Sequence, residues 1–319
     1  MKRASKKLDY GKYGYFFILP FFVVFLVFQI YPMFYTINLS FTDLAGLADK
    51  YSYVGLSNYK LLWNNVMFRK SIGNTFIIWI VNFVPQILAA LFFGAAFTAV
   101  SGKLKGIGFF KVVFYMPNII TAASVAVMFS SLFIYPYGPI DQILRKAGIL
   151  PYSFQFMRSE TWSRLIISFI QFWMWFGPTT ILFITGILSI NTSLYEAARV
   201  DGATPTQMFF RITLPLLKPI MIYILVTSVV GGLQMFDIPF LYAGGGPNYS
   251  TQTLAVFIYN QAFTGQNNYN IAAAGSVYLL IMAIILSLFI YRVLNRKDRD
   301  EEQETARTSR RLGKRRSAK

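Results

Sequence analysis

Residues 194–219 read LYEAARVDGATPTQMFFRITLPLLKP and lie between two uncharged runs, 165–188 and 220–242. This stretch is longer and more patterned than a linker between membrane helices needs to be. Asn191 or Ser193 offers a side-chain cap, and Glu196 falls in the first turn, where a carboxylate complements the positive end of the helix dipole. The run through Val200 therefore predicts a short helix. Asp201-Gly202 ends it, since Gly202 accepts the positive φ at which a chain reverses. A second helical piece begins at Pro205, a residue suited to the first turn, and sets Met208, Phe209 and Ile212 on one face. A helix-turn-helix of this form is built to be gripped by another molecule. An amphipathic interfacial helix without a partner would account for Phe209 and Phe210, but not for the turn.

The chain around this stretch is apolar. Of 319 residues 55% are hydrophobic and 13% charged, with a mean hydropathy of +0.48, where a soluble domain carries roughly 25% charge. A helix crossing a bilayer needs about 20 predominantly apolar residues. Runs of that length occur at 15–33, 72–100, 112–133, 165–188, 220–242 and 271–294. The first is too long for a signal-peptide core and has no small-x-small cleavage site after it, so it reads as a retained helix. The expected fold class is all-α, a polytopic membrane protein with six transmembrane helices.

The net charge of +17 would suggest nucleic acid in a soluble protein, but its distribution points to a membrane. Twenty-two of the 30 basic residues fall at the two ends and in the connections after the second and fourth runs, against 8 in the remaining connections. By the positive-inside rule both termini are expected to be cytoplasmic. The chain then divides into a basic N-terminus (1–14), a six-helix transmembrane domain (15–294) carrying the 191–219 loop, and a charged tail (295–319). The tail is poor in apolar residues, so it is expected to be disordered, with its basic end on anionic membrane lipid. No nucleic-acid partner is implied. The two long outer connections, 35–70 and 135–161, are large enough to form a protein-binding surface.

Cysteine and histidine are absent, which removes thiolate and imidazole chemistry and the usual zinc ligands. No G-x-x-x-x-G-K-[ST] loop occurs, so ATP is not hydrolysed on this chain by that device. Ion-coupled carriers usually keep acids inside their spans. Here Asp237, near the outer end of the fifth run, is the one acid, and it reads either as an interfacial group or as a translocation residue.

With these residues in view, the sequence resembles the inner-membrane subunits of binding-protein-dependent ABC importers, in particular the carbohydrate-uptake permeases related to the maltose and glycerol-phosphate systems. Their cytoplasmic signature stands here as Glu196-Ala197-Ala198, Asp201-Gly202-Ala203, Phe209-Phe210 and Ile212-Thr213-Leu214-Pro215. Weaker signatures follow in the family's order: Val54-Gly55-Leu56-Ser57-Asn58-Tyr59, Asn74-Thr75, Tyr115-Met116-Pro117, Phe236-Asp237 and Gly244-Gly245-Gly246-Pro247. The resemblance implies the type I importer permease fold and a coupling helix at Glu196, Ala197, Ala198, Asp201, Gly202 and Ala203. It implies as partners a second homologous permease forming a heterodimer with this one, an ATP-binding cassette ATPase dimer that holds the ATP and magnesium, and an extracytoplasmic solute-binding protein. No cofactor of the chain's own is expected.

Polar stripes mark two spans. Thr227, Ser228, Gly231, Gly232 and Gln234 share a face of the fifth, and Ser168, Gln171, Trp175 and Thr179 share a face of the fourth. Such stripes serve helix packing or line a pathway. Alignment from the signature loop implies pocket positions at Gln171, Trp175, Ser228, Gly232 and Gln234, with Gly231 and Asp237 beside them. The spans hold no Lys or Arg until Arg292, at the very end of the sixth, and this favours a neutral sugar or oligosaccharide as cargo; the alternatives are an ABC permease for glycerol-phosphate or a polyol and, behind it, an ion-coupled secondary transporter.

Overall fold

In a computed structural model, which describes residues 11–46, 50–98, 106–151, 153–264 and 267–295, nearly every ordered element is helical. The charged tail and most of the basic N-terminus lie outside the described residues. In chain order, α1 (Gly11–Phe25) runs through a π-turn (Leu26–Ile30) into α2 (Tyr31–Leu39), followed by α3 (Ser57–Asn64), α4 (Val66–Thr98), α5 (Ile107–Ile119), α6 (Ala122–Phe133) and α7 (Pro139–Lys146). Then come α8 (Glu160–Leu188), α9 (Thr192–Val200), α10 (Pro205–Met208), a second π-turn (Phe209–Thr213), α11 (Leu214–Leu216), α12 (Lys218–Leu233), α13 (Asp237–Ala243), α14 (Leu254–Phe263) and α15 (Tyr269–Leu294). Among the described residues the β-structure consists of one isolated bridge, Thr42 with Tyr53.

The chain forms two compact units, Met1–Asn64 with Ile258–Tyr278, and Asn65–Phe257 with Leu279–Lys319. In the first, the continuous helix Tyr13–Leu39 is apolar all round, with none of its most apolar window buried. A helix of that kind is at home only in lipid. Beyond its end the buried Asn58 donates from Nδ2 to the carbonyls of Ser40 (2.9 Å) and Thr42 (2.6 Å), and its Oδ1 accepts from Asn270 Nδ2 at 3.2 Å. Ser40 Oγ meets Tyr59 OH at 2.7 Å. The Ser57-Asn58-Tyr59 run is thus a clip that satisfies the backbone groups left open where the helix stops.

The second unit is built on α4 and α8. Asn74 meets Arg164, Ser168 meets Ile78, Gln86 meets Thr179 and the Gly94 face meets Phe183. Both partners ascend together, so the two helices are parallel, and the chain between them must cross the membrane a net odd number of times. That crossing is not the straight helix expected over 112–133. It consists of α5 and α6, bent by 91°. Phe97 packs on Phe110 and Phe114, Phe114 on Phe176, Phe129 on Phe169 and Trp173, and Phe133 on Phe156. The pair therefore runs the length of α8 in the opposite sense, a broken span and not a re-entrant loop, and brings the spans among the described residues from five to six. The bend falls where Ile119-Ile120-Thr121 crowds three β-branched residues together. Ile120 and Thr121 are extended, and Thr121 caps α6 by accepting from Ser124 N.

The fifth span is also broken, between α12 and α13, where a continuous helix over 220–242 was expected. Pro239 is the cause: in an unbroken helix its ring would clash with the carbonyl of Met235 and deny it a partner. Restarting at Asp237 places Pro239 in a first turn and Asp237 at the positive end of the dipole. The freed Met235 carbonyl accepts from the buried Thr253 Oγ1 at 2.7 Å. Thr253→Val is expected to destabilise the protein by about 1–3 kcal/mol, the cost of an orphaned buried carbonyl, whereas Thr253→Ser should sit close to wild type in a thermal-melt assay in detergent.

Thr253 belongs to a loop, 244–253, that is buried at Ser250, Thr251, Gln252 and Thr253 and that α4 and α8 hold in place. Asn74 Nδ2 donates to the carbonyls of Tyr249 (2.6 Å) and Gln252 (3.0 Å), Arg164 Nε to that of Ser250 (2.9 Å), and Arg164 Nη2 to Asn74 Oδ1 (2.9 Å). Thr75 Oγ1 accepts from Leu254 N at 2.9 Å. Asn74-Thr75 thereby gains a structural account. At the same end of the bundle, the buried Asp141 of α7 receives both Arg145 Nε (2.6 Å) and Nη2 (2.8 Å), while the Arg145 guanidinium lies 4.7 Å from the Tyr135 ring centre. With this bidentate pair holding its guanidinium, Arg145 also donates to the carbonyls of Pro151 and Phe154, which ties α7 to the chain that follows it.

Candidate functional site

At the opposite end of the bundle, the connection between α8 and α12 is a structured platform. Asn191 Oδ1 accepts from Ser193 N at 3.0 Å and caps α9, which begins at Thr192. Glu196 consequently sits in the second turn, not the first, because the helix starts earlier than its charge pattern suggested. The helix ends in a Schellman motif: Ala203 N donates to Ala198 O (2.8 Å), Gly202 N to Arg199 O (3.0 Å), and Gly202 has φ +74. Thr204 and Gln207 form a reciprocal capping box around Pro205, at 2.8 and 3.3 Å. Both halves of the helix-turn-helix are specified by local hydrogen bonds, so the turn does not depend on a partner to form.

The platform's outer face is open. Glu196, Ala197, Arg199, Asp201 and Gly202 are exposed, Ala198 and Ala203 half-buried, and Val200 is 88% exposed, with Leu194 beside it also exposed. Among the described residues the ion pairs are Asp141–Arg145 and Glu160–Arg164, so Glu196, Arg199 and Asp201 carry none. Small, apolar and charged groups stand together with neither burial nor pairing. Met208, Phe209 and Ile212 turn half-buried toward the protein, as their spacing predicted, although the backbone there is a π-turn. At the root of the platform a Cβ on Gly186 would stand 2.3–2.8 Å from side-chain atoms of Ile220 and Leu217, which shows how closely α8 and α12 approach.

The polar stripes do not stay together. On α8, Ser168 and Thr179 are buried against α4, Gln171 is half-buried and Trp175 is 52% exposed. On α12, Ser228 accepts from Trp79 Nε1 at 3.0 Å, and the Trp79 ring lies over Gly232, where a Cβ would come within 2.2–2.9 Å of it. Ser228 and Gly232 thus seat an indole in this conformation, while Gly231, Gln234 and Asp237 are exposed. Gln234 stands at the α12 C-terminus, off the continuous helical face assumed for it.

Two residues of α4 escaped the reading of the sequence: Trp79, and Gln86, whose Nε2 donates to Thr179 Oγ1 at 2.7 Å. The signal was present, since Trp79, Asn82 and Gln86 recur at helical spacing in an apolar run. Among the described residues no group of three or more acidic side chains is arranged to hold a metal ion.

Comparison with known proteins gives these features a context. Residues 10–299 match the family described as the binding-protein-dependent transport system inner membrane component. The chain is 30% identical over 298 residues to the lactose transport system permease protein LacF of Rhizobium radiobacter, covering 92% of this chain and 98% of that one. Its fold is similar to that in the crystal structure of a bacterial ABC transporter involved in the import of the acidic polysaccharide alginate, with a TM-score of 0.77 at 25% identity over 91% of this chain and 98% of the other. A further crystal structure, of a bacterial alginate ABC transporter in complex with an alginate pentasaccharide-bound periplasmic protein, matches with a TM-score of 0.74 at 25% identity over 93% and 98% of the two chains.

Proposed function

The chain belongs to the family of binding-protein-dependent transport system inner membrane components, and from that premise we propose that it is one of two homologous permease subunits through which an ABC importer moves a sugar or oligosaccharide into the cytoplasm. A separate ATPase dimer binds ATP and magnesium and grips α9. A solute-binding protein docks on the opposite face, where the 135–158 segment is held by Asp141 and Arg145. Both termini and the α9 platform lie on the cytoplasmic side, in keeping with the distribution of basic residues.

The observation that carries this reading is the platform itself: a self-supporting helix-turn-helix whose exposed face combines Leu194, Ala197 and Val200 with unpaired Glu196 and Arg199. Ala197 and Gly202 allow a partner's backbone to approach, and Glu196 is placed to meet a cation. Relatives named for lactose and alginate support a saccharide cargo. The apolar runs 72–100, 112–133, 165–188 and 220–242 hold no Lys or Arg, the basic residues of α4, α5, α8 and α12 lying in the first turns of those helices, and this favours a neutral one, because a carboxylate crossing a low-dielectric passage needs a counter-charge. Gln171, Trp175, Ser228, Gly231, Gly232, Gln234 and Asp237 are proposed to line the passage, with Trp79 withdrawing from Ser228 and Gly232 when it opens.

Uptake into proteoliposomes holding the complete transporter tests the motor. A hydrolysis-dead ATPase partner is expected to abolish uptake; persistence of uptake would refute the ABC assignment. Calorimetric titration of the partner solute-binding protein with a neutral oligosaccharide, a uronate oligosaccharide and glycerol phosphate tests the cargo, and binding of glycerol phosphate alone would overturn the saccharide reading.

A further inference from the structure

Attachment of an ATPase to α9 does useful work only if movement of α9 reaches the spans. The chain enters α9 through Ser189–Asn191 and leaves through the Asp201–Gly202 turn, and both joints are short non-helical segments. The returning arm is different. Thr213 is buried, ends the second π-turn, and is followed by Leu217, which is buried between α8 and α12. Between α9 and this arm, among the described residues, one side-chain hydrogen bond is formed: Tyr195 OH to Thr213 Oγ1, 2.8 Å, across 18 residues of chain. Thr213 Oγ1 also lies 3.5 Å from the Met208 carbonyl, the outer reach of a hydrogen bond, so the 2.8 Å contact with Tyr195, in which either hydroxyl can donate, is the firm link. The contacts run from the Tyr195 hydroxyl through Thr213 Oγ1 to the Met208 carbonyl.

We infer that Tyr195 and Thr213 form a strut that makes α9 and the root of α12 one lever, so that Tyr195 is a positioning residue for energy coupling. The inference rests on the proposed role of α9 as the ATPase-docking helix. π-turns of this kind inside helices are frequent at functional positions. Here the extra residue of the wide turn sets Thr213 where Tyr195 reaches it. Without the strut, a push on α9 is taken up by its two joints before it reaches Leu217 and Gly186.

The test uses the assembled transporter in proteoliposomes, reading saccharide imported per ATP hydrolysed, with the amount of co-purified ATPase and the melting temperature measured alongside. Tyr195→Phe removes one oxygen and leaves the ring. It is expected to lower the transport-to-hydrolysis ratio about fivefold, the factor a net hydrogen bond of typical strength represents, with ATPase attachment and melting temperature unchanged. Thr213→Val should match it, Thr213→Ser should retain the ratio, and the double variant should be no worse than either single one. An unchanged ratio in both single variants, or additive losses in the double, would overturn the strut. Val200→Asp run in parallel separates this from failure of the docking reading: if attachment survives in Val200→Asp, α9 is not the gripped element. If attachment is lost there and Tyr195→Phe still couples normally, the strut alone is refuted.

Discussion

Replacing Val200 by Asp is expected to leave the isolated permease folded and to abolish its assembly with the ATPase. Val200 is 88% exposed at the last turn of α9 and contributes nothing to the core, so the substitution removes no packing. Once covered by a partner, however, a carboxylate at this place is a desolvated charge without a counter-ion, and such groups cost several kcal/mol. A loss of about 3 kcal/mol corresponds to more than a hundredfold in affinity. Co-purification of ATPase with tagged permease should fall to background, while yield and melting temperature of the permease alone stay at wild-type values. Gly202→Val is expected to weaken assembly as well, for a different reason: no atom stands within 4 Å of the missing Cβ, but the φ of +74 is strained for any branched residue. Retention of full ATPase binding by Val200→Asp would mean that α9 is not the docking element.

Gly177→Ala should be the most destabilising single-carbon change in the bundle. A Cβ there would lie 2.0 Å from the Phe114 carbonyl oxygen and 2.4 Å from its carbon, both backbone atoms of α5. Side chains yield to such an intrusion by changing rotamer, whereas a helix backbone must translate, and α5 is wedged between Phe93, Phe97 and Phe176. Overpacking costs about 1–3 kcal/mol when the surroundings adjust and more when they do not; here about 3 kcal/mol or more is expected, seen as a sharp loss of monodisperse protein on extraction. Gly231→Ala is the control, since nothing lies within 4 Å of its Cβ position. Equal behaviour of the two variants would show that α5 does not pack on α8 as described.

The helix-turn-helix platform was legible almost residue by residue because its cues are local. A capping amide, a glycine at the reversal, a Thr-Pro start with Gln three residues on: each acts within a single turn of helix, and sequence distance stands in for spatial distance. The placing of Glu196 one turn too early is the kind of error that follows when several residues compete as caps. The breaks in the third and fifth spans were less legible. Hydropathy registers only that a segment is apolar, and a bent pair of helices is as apolar as a straight one. Pro239 marked the second break in plain sight, but the group that makes the break tolerable, Thr253, lies 18 residues from the carbonyl it serves. The proposed pathway was the least legible part. Helical spacing predicts which side chains share an azimuth, and what covers them is set by the neighbouring helix; Trp79 of α4 decides the surroundings of Ser228 and Gly232 on α12.

Residue order alone places this protein in a membrane, makes its ordered part helical with six apolar runs, and marks one connection as a helix-turn-helix of an importer family. These follow from composition, short-range hydrogen bonding and charge distribution, which need no knowledge of packing. The tertiary structure decided that α4 and α8 run parallel, that the bent α5–α6 pair is therefore a crossing, and that Asn74 and Arg164 hold the 244–253 loop. It also decided that Tyr195 reaches Thr213. In each case the deciding contact joins residues far apart in the chain, and in an apolar environment many helix arrangements bury similar surface; close fits at Gly177 and Gly186 and a few buried hydrogen bonds select among them.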